Sequence, residues 1–453
     1  MNELSASYAD FILAVDYKEL PSTVILQSKK LLLDLIGVSL AGYKLISLSN
    51  IVVEHTVASG GIPEATIFQT RGKYPAANVA FTNAALAHAL DMDDGHRYAA
   101  LHPGAVVIPA ALAAAETVGA SSQQVVEGIV CGYEVMIRLG MAINPSSLSR
   151  GFHSTGTVGP FGAVAAAAKI MKLDREQIVG AIGLAGLQGA GLLQVNHDEG
   201  AGGQAKLINS ARASMSGMYS ASLAKKGARG PSRILEGKDG FLGAFADEVR
   251  GELLTRELGS TFEILQTYLK FYASGRHSHA CIDAAFQAFR DSGLTPDGIA
   301  RVTVETYATA IRFTGITEVD TPSAARFSIS FAIALALSKG DASADKFCEQ
   351  NIADAAIQRL ARKVEVSASE KWNSLYPAKR GATVQIFAHD GKSWTADIDL
   401  AKGEPESPAS FDEIVAKFHA NAGVQVARSQ ANALVDTIMT FDHLPLSRLM
   451  DLV

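Results

Sequence analysis

Apolar residues recur at the spacing of an α-helix through most of the chain before residue 265. The first long stretch shows this stripe clearly, at Val24, Leu31, Leu35 and Val38. Residues three, four and seven positions apart share one helix face, so this spacing indicates helices that each bury one side. A chain of 453 residues exceeds the size of one usual hydrophobic core, which favours more than one domain. We predict a large all-helical domain over residues 1–265.

Strand-like alternation appears only after residue 265. The segment 302–307 alternates apolar and polar residues, as does 382–389, and an Asp-Gly turn then leads into 394–398. Helical segments lie between these strands, so the sequence predicts a smaller α+β lid domain over residues 266–402. The predicted fold class is therefore mainly α.

The last segment returns to helical spacing. Glycine, proline and serine between residues 403 and 408 indicate a linker, and apolar residues recur beyond it as in an amphipathic helix. We predict that residues 403–453 form C-terminal helices that return to the helical domain.

Composition and charge limit the partners of this chain. A formal charge of −6 argues against a nucleic-acid partner, because such surfaces concentrate Lys and Arg. Cys131, Cys281 and Cys348 lie far apart and form no CxxC pair, which argues against a disulfide framework. The first residues lack the basic region of a signal peptide, and the apolar runs are too short or too interrupted to span a bilayer. We predict a cytoplasmic protein with no membrane partner.

The densest polar cluster lies between His88 and His102. It also holds Asp91, Asp93, Asp94, His96 and Arg97. Imidazole and carboxylate groups titrate where proton transfer at neutral pH needs them, which favours a catalytic interpretation. His88 and Asp91 are three residues apart, so we expect them on one helical turn, and His102 precedes Pro103 at the predicted start of the next helix. The alternative is that these groups cap helices and face water.

Three further sites carry candidate residues. His153 lies beside hydroxyl groups at a predicted helix start, where free N–H groups suit an anionic substrate, although an ordinary Ser/Thr cap explains the same pattern. Lys206 stands alone in an uncharged stretch, and its alternative is a solvated side chain. Lys270, with Arg276 and His277, belongs to a charged patch at the predicted domain junction; a solvated helix start is the alternative.

Signatures of common cofactor and hydrolase chemistry are missing from the sequence. We find no GxSxG elbow, no HExxH, no Walker A loop and no GxGxxG after a strand, so no cofactor is predicted. A metal site is an alternative, because His88, Asp91, Asp94, His277 and His279 are chemically adequate ligands. We predict no metal.

Four segments together resemble the MmgE/PrpD family, which includes 2-methylcitrate dehydratase, cis-aconitate decarboxylase and iminodisuccinate epimerase. They are AHALDMDDGHRYAALHP, GFHSTGTVGPFGAVAAAAKIMKLD, SASLAKKGARGPSRILEGKDGF and YPAKRGATVQI. The resemblance implies a helical domain closed by returning C-terminal helices, an α+β lid and a site between them. It also implies a homodimer, which fits the slightly positive mean hydropathy of +0.15.

The resemblance assigns roles to the candidate residues. Asp91 and His102 match the family's active-site Asp and His, and His153 matches the histidine of its GFH motif. Lys206 and Lys270 match the two lysines that hold substrate carboxylates. Arg276 and His277, in the same charged patch as Lys270, are further substrate-binding candidates from the sequence itself. The chain departs from the family at four positions, which are Gly95, Gly104, Asn209 and Phe331.

The implied chemistry is a carbanion formed next to a carboxylate of a small di- or tricarboxylic acid. Lys206 and Lys270 would neutralise the substrate, His102 would move the proton with Asp91 orienting it, and His153 would supply an acid. We expect a cofactor-independent lyase similar to 2-methylcitrate dehydratase. A decarboxylase or epimerase on the same scaffold is the first alternative, and a metal-dependent hydrolase or a non-catalytic binding protein is more distant.

Overall fold

The computed structural model describes residues 3–196 and 204–453. Its α-helices are α1 Leu4–Ala14, α2 Ser22–Leu45, α3 Ser47–Ser59, α4 Ala76–His88, α5 Gly104–Val118, α6 Ser122–Ile143, α7 Ser146–Ser149, α8 Ser154–Ile170, α9 Arg175–Gly186, α10 Leu207–Lys225, α11 Phe241–Phe245, α12 His279–Ser292, α13 Ala308–Thr314, α14 Pro322–Arg326, α15 Ile329–Lys339, α16 Glu349–Ile352, α17 Ala355–Ala361, α18 Glu370–Leu375, α19 Phe411–Ala422, α20 Arg428–Met439 and α21 Leu446–Met450.

The strands are short outside one small sheet. They are β1 Ala65–Thr66, β2 Lys73–Tyr74, β3 Gly95–His96, β4 Thr267–Tyr268, β5 Ile299–Thr306, β6 Val364–Ala368, β7 Ala382–Ala388 and β8 Ser393–Ile398. Single turns of 3₁₀ helix cover Tyr17–Glu19, Leu193–Asn196, Gln204–Lys206, Gly251–Leu253, Glu263–Gln266, Arg276–Ser278, Pro296–Gly298, Ala344–Lys346 and Phe441–His443. The fold is mainly α, as the sequence predicts.

Helix α8 is the centre of the helical part, where it packs against α5, α6 and α10. Small residues allow these helices to approach closely. A Cβ on Gly132 of α6 would lie 2.8 Å from the carbonyl oxygen of Gly162 in α8, and one on Gly217 of α10 would lie 2.5 Å from the amide nitrogen of Val164. The small residues of α8 and α10 therefore allow these helices to pack closely.

A second hydrophobic core lies under the four-stranded sheet, whose order is β6-β5-β7-β8. β5 runs parallel to β6 and antiparallel to β7, and β7 and β8 form the predicted hairpin. Helix α12 covers β7 and β8, and α15 packs against α12. Burial in β7 alternates strictly, which is the pattern of a strand with one face on the core. The strand β6 is not among the strands predicted from the sequence.

The C-terminal helix α19 lies against α2 of the helical part. The ring of Phe418 fills the space beside Gly37, where a Cβ would come within 2.8 Å of it. Beside this contact, the Lys417 ammonium is 2.5 Å from the Asp34 carboxylate, and both side chains are almost fully buried. The domain limits at residues 265 and 402 stay a prediction.

The segment between α10 and β4 differs from the expectation of helix up to residue 265. It contains only α11 and short 3₁₀ turns. Gly227, Gly230, Pro231, Gly237 and Gly240 explain the difference, because glycine and proline break helices.

Within the described ranges, no single helix is long and apolar enough to cross a membrane. Only α2 and α3 taken together reach the required length and composition, and they are bent by 94° at their junction.

Candidate active site

A short strand pair brings two distant parts of the chain together at one cleft. β3 pairs antiparallel with β4, so Gly95 lies opposite Tyr268. This pairing places the polar segment after α4 beside the segment that leads into α12. The first residues of α5, α8 and α10 meet there, since the amide of His102 donates to Oγ1 of Thr155 at 3.1 Å and the side chain of Asn209 contacts His153 at 3.2 Å. Side chains just before these helices therefore point toward a shared space.

All seven sequence-predicted residues line this cleft. They are Asp91, His102, His153, Lys206, Lys270, Arg276 and His277. The cleft is also lined by aromatic residues and by one further arginine, among them Tyr268, Phe313, Phe327, Tyr376 and Arg380. The lining thus combines groups from the helical part and from the α+β part.

Asp91 lies at the floor of the cleft between two lysines. Its Oδ1 is 2.5 Å from Nζ of Lys206, and its Oδ2 is 3.1 Å from Nζ of Lys270. Lys270 also donates to the Asp91 carbonyl oxygen at 2.7 Å. Burial alone would raise the pKa of the Asp91 carboxyl, but the two ammonium groups outweigh it and hold the pKa well below its usual range. Two ammonium groups share one carboxylate, so the three side chains together carry a net positive charge that attracts an anion.

Asp91 does not lie on a helical turn with His88, contrary to the expectation from their spacing. Helix α4 ends at His88, and Asp91 adopts a left-handed conformation with φ of 51°. Aspartate tolerates this conformation better than most residues do.

His102 is fixed by hydrogen bonds on the side away from the lysines. Its Nδ1 donates to the carbonyl oxygen of Asp94 at 2.8 Å and lies 3.4 Å from Oδ2 of Asp93. This arrangement puts the proton of the neutral ring on Nδ1 and leaves Nε2 with a lone pair. Burial lowers the pKa of His102 well below its ordinary value, so the ring is neutral at neutral pH.

His153 has the complementary arrangement. It is the residue before α8, and its Nδ1 accepts from the side-chain amide of Asn209 at 3.2 Å. The neutral ring therefore carries its proton on Nε2, where it is a donor. Burial and the nearby Lys206 lower the pKa of His153 well below its ordinary value. Asn209, one of the departures from the family, thus sets the tautomer of His153.

Arg276 and His277 reach the cleft with much of their hydrogen-bonding capacity already used. Arg276 donates to Glu404 at 2.9 Å and 3.1 Å, and its Nη1 donates to two backbone carbonyl oxygens. Nδ1 of His277 is 2.7 Å from the hydroxyl of Tyr307, and its ring stacks on Phe313. Burial lowers the pKa of His277 well below its ordinary value, so this ring is also neutral.

Behind the cleft, the other two aspartates of the cluster are bound inside the protein. Asp93 accepts from Nδ1 of His88 at 2.9 Å. Asp94 accepts from the amide of Gly104 at 2.9 Å and from the hydroxyl of Tyr133, also at 2.9 Å. Burial and the charge of Asp93 raise the pKa of the Asp94 carboxyl to about 8. Asp94 therefore supports the His102 loop and does not line the cleft.

Two of the family departures have a steric reason. A Cβ on Gly104 would overlap Oδ1 of Asp94 and lie 2.8 Å from the Tyr133 hydroxyl. A Cβ on Gly95 would overlap the hydroxyl of Tyr268 and lie 2.5 Å from its Cζ. Phe331 is buried in the second core and is not among the residues that line the cleft.

A cation has a poor fit at the candidate ligands. His88, Asp91 and His102 present ligand atoms within 4.8 Å of one another, which is close enough for a metal ion. Both oxygens of Asp91 already contact ammonium groups, however, and these would repel a divalent cation. Asp94 is engaged by Gly104 and Tyr133. The donor set therefore favours an anionic ligand over a metal.

Sequence reasoning missed Tyr268 and Arg380 as members of the cleft. Tyr268 stands two residues before Lys270, and Arg380 lies in the segment YPAKRGATVQI that carries part of the family resemblance. The basic side chain of Arg380 within this segment could have marked it as a candidate for the cleft. The position of Tyr268 depends on the pairing of β3 with β4, for which the sequence offers no local pattern.

Comparisons with known proteins agree over nearly the whole chain. The model described as MmgE/PrpD N-terminal domain matches residues 6–252, and the model described as MmgE/PrpD C-terminal domain matches residues 272–442. A cis-aconitate decarboxylase of Aspergillus terreus is 26% identical over 463 aligned residues, which cover 96% of this chain and 92% of the relative. Cis-aconitate decarboxylases of Mus musculus and Homo sapiens are each 25% identical over 98% of this chain and over 92% and 93% of their own lengths.

Proposed function

The chain belongs to the MmgE/PrpD family of enzymes, and from that premise we propose that it is a cofactor-independent lyase acting next to a carboxylate of a small di- or tricarboxylic acid. One observation carries the proposal. The neutral rings of His102 and His153 present an acceptor and a donor to the same cleft, beside two lysines that share Asp91. A base, an acid and a surplus of positive charge are the parts that carbanion chemistry requires.

In the proposed reaction, Nε2 of His102 removes a proton from the carbon next to a substrate carboxylate. The electron pair moves into that carboxylate, whose added negative charge the ammonium groups of Lys206 and Lys270 stabilise. A hydroxyl group on the neighbouring carbon then leaves as water with the proton that His102 removed, while the Nε2–H of His153 donates a hydrogen bond to the leaving oxygen. Asp91 fixes the position of both lysines and so takes part through them.

Decarboxylation is the second candidate, because the similar proteins named above are cis-aconitate decarboxylases. In that reaction the bond to a carboxylate carbon breaks, carbon dioxide leaves, and the electron pair on the remaining carbon takes a proton from a histidine. The same cations would stabilise the intermediate. The two candidates differ in which bond breaks after the substrate is bound.

Turnover of defined acids tests the proposal. The full chain is incubated in D₂O with 2-methylcitrate, citrate or cis-aconitate, with and without prior dialysis against a chelator, and proton NMR follows the acids. Loss of water supports the dehydratase, and formation of a decarboxylated acid with deuterium at one carbon supports the decarboxylase. We expect chelation to leave either activity intact. Binding without conversion of any of these acids would contradict the lyase proposal and favour a non-catalytic binding protein.

A further inference from the structure

The positive charges around the cleft are not equally neutralised. Among the described residues, four cations line it. Lys206 and Lys270 share Asp91, and Arg276 pairs with Glu404. Arg380 has no carboxylate within ion-pair distance in the described part of the chain. Its Nη2 donates to the carbonyl oxygen of Arg97 at 2.6 Å, and its Nε is buried without an acceptor.

The surroundings of Arg380 confirm this imbalance of charge. Glu404 lies nearby, but its carboxylate already contacts both Arg276 and Arg97, and Arg97 also pairs with Glu406. The guanidinium groups of Arg276 and Arg97 thus occupy both carboxylates, and neither is left for Arg380. Arg380 is only 7% exposed, and a buried guanidinium with an unsatisfied donor is costly unless an anion arrives to pair with it.

Tyr268 adds an unused hydroxyl at the same wall of the cleft. Its ring lies between the two arginines, with the guanidinium carbons of Arg276 and Arg380 at 4.6 Å and 6.0 Å from the ring centre. The hydroxyl lies against Gly95, whose lack of a side chain makes room for it, and it makes no hydrogen bond to any described residue. Burial raises the pKa of Tyr268, so the hydroxyl keeps its proton and remains a donor.

We propose that Arg380 and Tyr268 form a second carboxylate subsite, separate from the lysine pair on Asp91. The guanidinium would pair with one carboxylate of the substrate while the Tyr268 hydroxyl donates a hydrogen bond to it. This inference rests on the proposed function and narrows it. A substrate held at both places must carry at least two carboxylates, with the reacting carbon between the lysines and the arginine.

Binding of three related acids tests the subsite. Tricarballylate, glutarate and butyrate are the probes; they carry three, two and one carboxylates, because each differs from the one before by replacement of one carboxylate with hydrogen. Calorimetry on the full chain gives the dissociation constant of each acid. We expect wild type to prefer glutarate to butyrate, because only glutarate carries a carboxylate for each place, and we expect Arg380→Met to weaken glutarate binding by about tenfold or more and to remove most of that preference.

Conservative and control variants separate the subsite from a general effect of charge or folding. Tyr268→Phe keeps the ring beside Gly95 and is expected to lose several-fold in the same preference, and Arg380→Lys should fall between wild type and Arg380→Met. Lys379→Met removes the adjacent positive charge, which pairs with Asp399 at the surface, and should leave all three constants unchanged.

The outcomes are distinct. An unchanged preference in Arg380→Met, or in Arg380→Lys and Tyr268→Phe together if Arg380→Met does not fold, would overturn the subsite while the proposed function stands. Wild-type protein that binds none of the three acids would overturn the proposed function and the subsite with it.

Discussion

His102 is held by its neighbours in one tautomer and one charge state. Its Nδ1 proton is committed to the Asp94 carbonyl oxygen, and burial keeps the ring neutral at physiological pH. A neutral ring with its lone pair toward the cleft acts as a base without first losing a proton. The pH dependence of turnover should therefore reflect a base that is ready throughout the neutral range.

Replacing His102 tests this role. We expect His102→Ala to lower kcat by roughly two to four powers of ten, the usual contribution of a general base, with little change in KM. Wild-type turnover should stay flat between about pH 6.5 and 8 and fall only in acid, because the lowered pKa moves protonation of the ring below its ordinary range. Steady-state kinetics across pH give both results. His96→Gln, which changes a neighbouring histidine outside the cleft, is the control, and near-normal turnover in His102→Ala would remove this residue from the mechanism.

Asp94 gives a second prediction, on stability. Its pKa of about 8 in the folded protein exceeds its ordinary value of 3.8, so the folded state binds the additional proton between these two pH values. The free energy of unfolding should therefore decrease as pH rises through that window. Asp94→Asn cannot ionise, and its stability relative to wild type should rise by about 1 kcal/mol per pH unit between pH 5 and 7. Urea denaturation at several pH values measures this difference, and parallel curves for the two proteins would contradict the raised pKa.

At the scale of elements, α19 and α2 are joined by a buried ion pair that also reaches the active-site loop. Lys417 contacts Asp34 at 2.5 Å and donates to the carbonyl oxygen of Met92 at 3.0 Å. Met92 lies between Asp91 and Asp93. Helix α19 therefore supports the segment that carries Asp91 and Asp93, although it contributes no residue to the lining of the cleft.

Removing one charge of this pair should lower the free energy of unfolding, and removing both charges should restore most of it. Lys417→Met leaves the Asp34 charge buried without its partner, and we expect a loss of about 3–5 kcal/mol in the free energy of unfolding. The double variant Asp34→Leu with Lys417→Met removes both charges and should recover most of that loss. Chemical denaturation of the two variants makes the comparison. A double variant as unstable as the single one would mean that the lysine acts by packing or through Met92 alone.

Some of the helices, strands and turns could be predicted from the sequence, and others could not. Long helices, the β7–β8 hairpin and the turn before α8 were predictable because apolar spacing and turn residues are local signals. The strand β6 was missed although its five residues, VEVSA, alternate apolar and polar side chains. The left-handed turn at Asp91 and the β3–β4 pairing that places Tyr268 were not predictable, because both depend on contacts between distant segments. The seven candidate residues were found by chemistry and resemblance, and their roles stay predictions.

At the scale of the molecule, burial of neutral histidines around the cleft links stability to pH. The pKa values of His102, His153, His277 and His279 are all lowered well below 6.5, chiefly by burial. In acid the unfolded chain binds protons that the folded protein does not, so the unfolding free energy should fall as pH decreases below about 6.5. We expect a steady drop in Tm between pH 6.5 and 5, measured by calorimetry. A Tm that stays constant over this range would contradict the neutral burial of these rings.

Assembly and location stay predictions at this scale. Leu187 and Tyr219 are 65% and 51% exposed, and the residues next to them, Gln188 and Ser220, are joined by a hydrogen bond of 2.9 Å. A contiguous patch of such side chains is typical of protein interfaces. We expect sedimentation at micromolar concentration to give twice the chain mass of 47.7 kDa, as a homodimer requires. A species with the mass of one chain would contradict the homodimer.

Because α19 packs on α2, one part of the helical core can be completed only late in synthesis. The ribosome releases α2 early and α19 near the end of synthesis. The space beside Gly37, which Phe418 fills in the folded protein, therefore stays unfilled through most of translation. During that time the apolar face of α2 is open to other nascent chains and to chaperones. A chain stopped before residue 411 should therefore be recovered bound to chaperones or in aggregates, even though it already contains the residues that line the cleft.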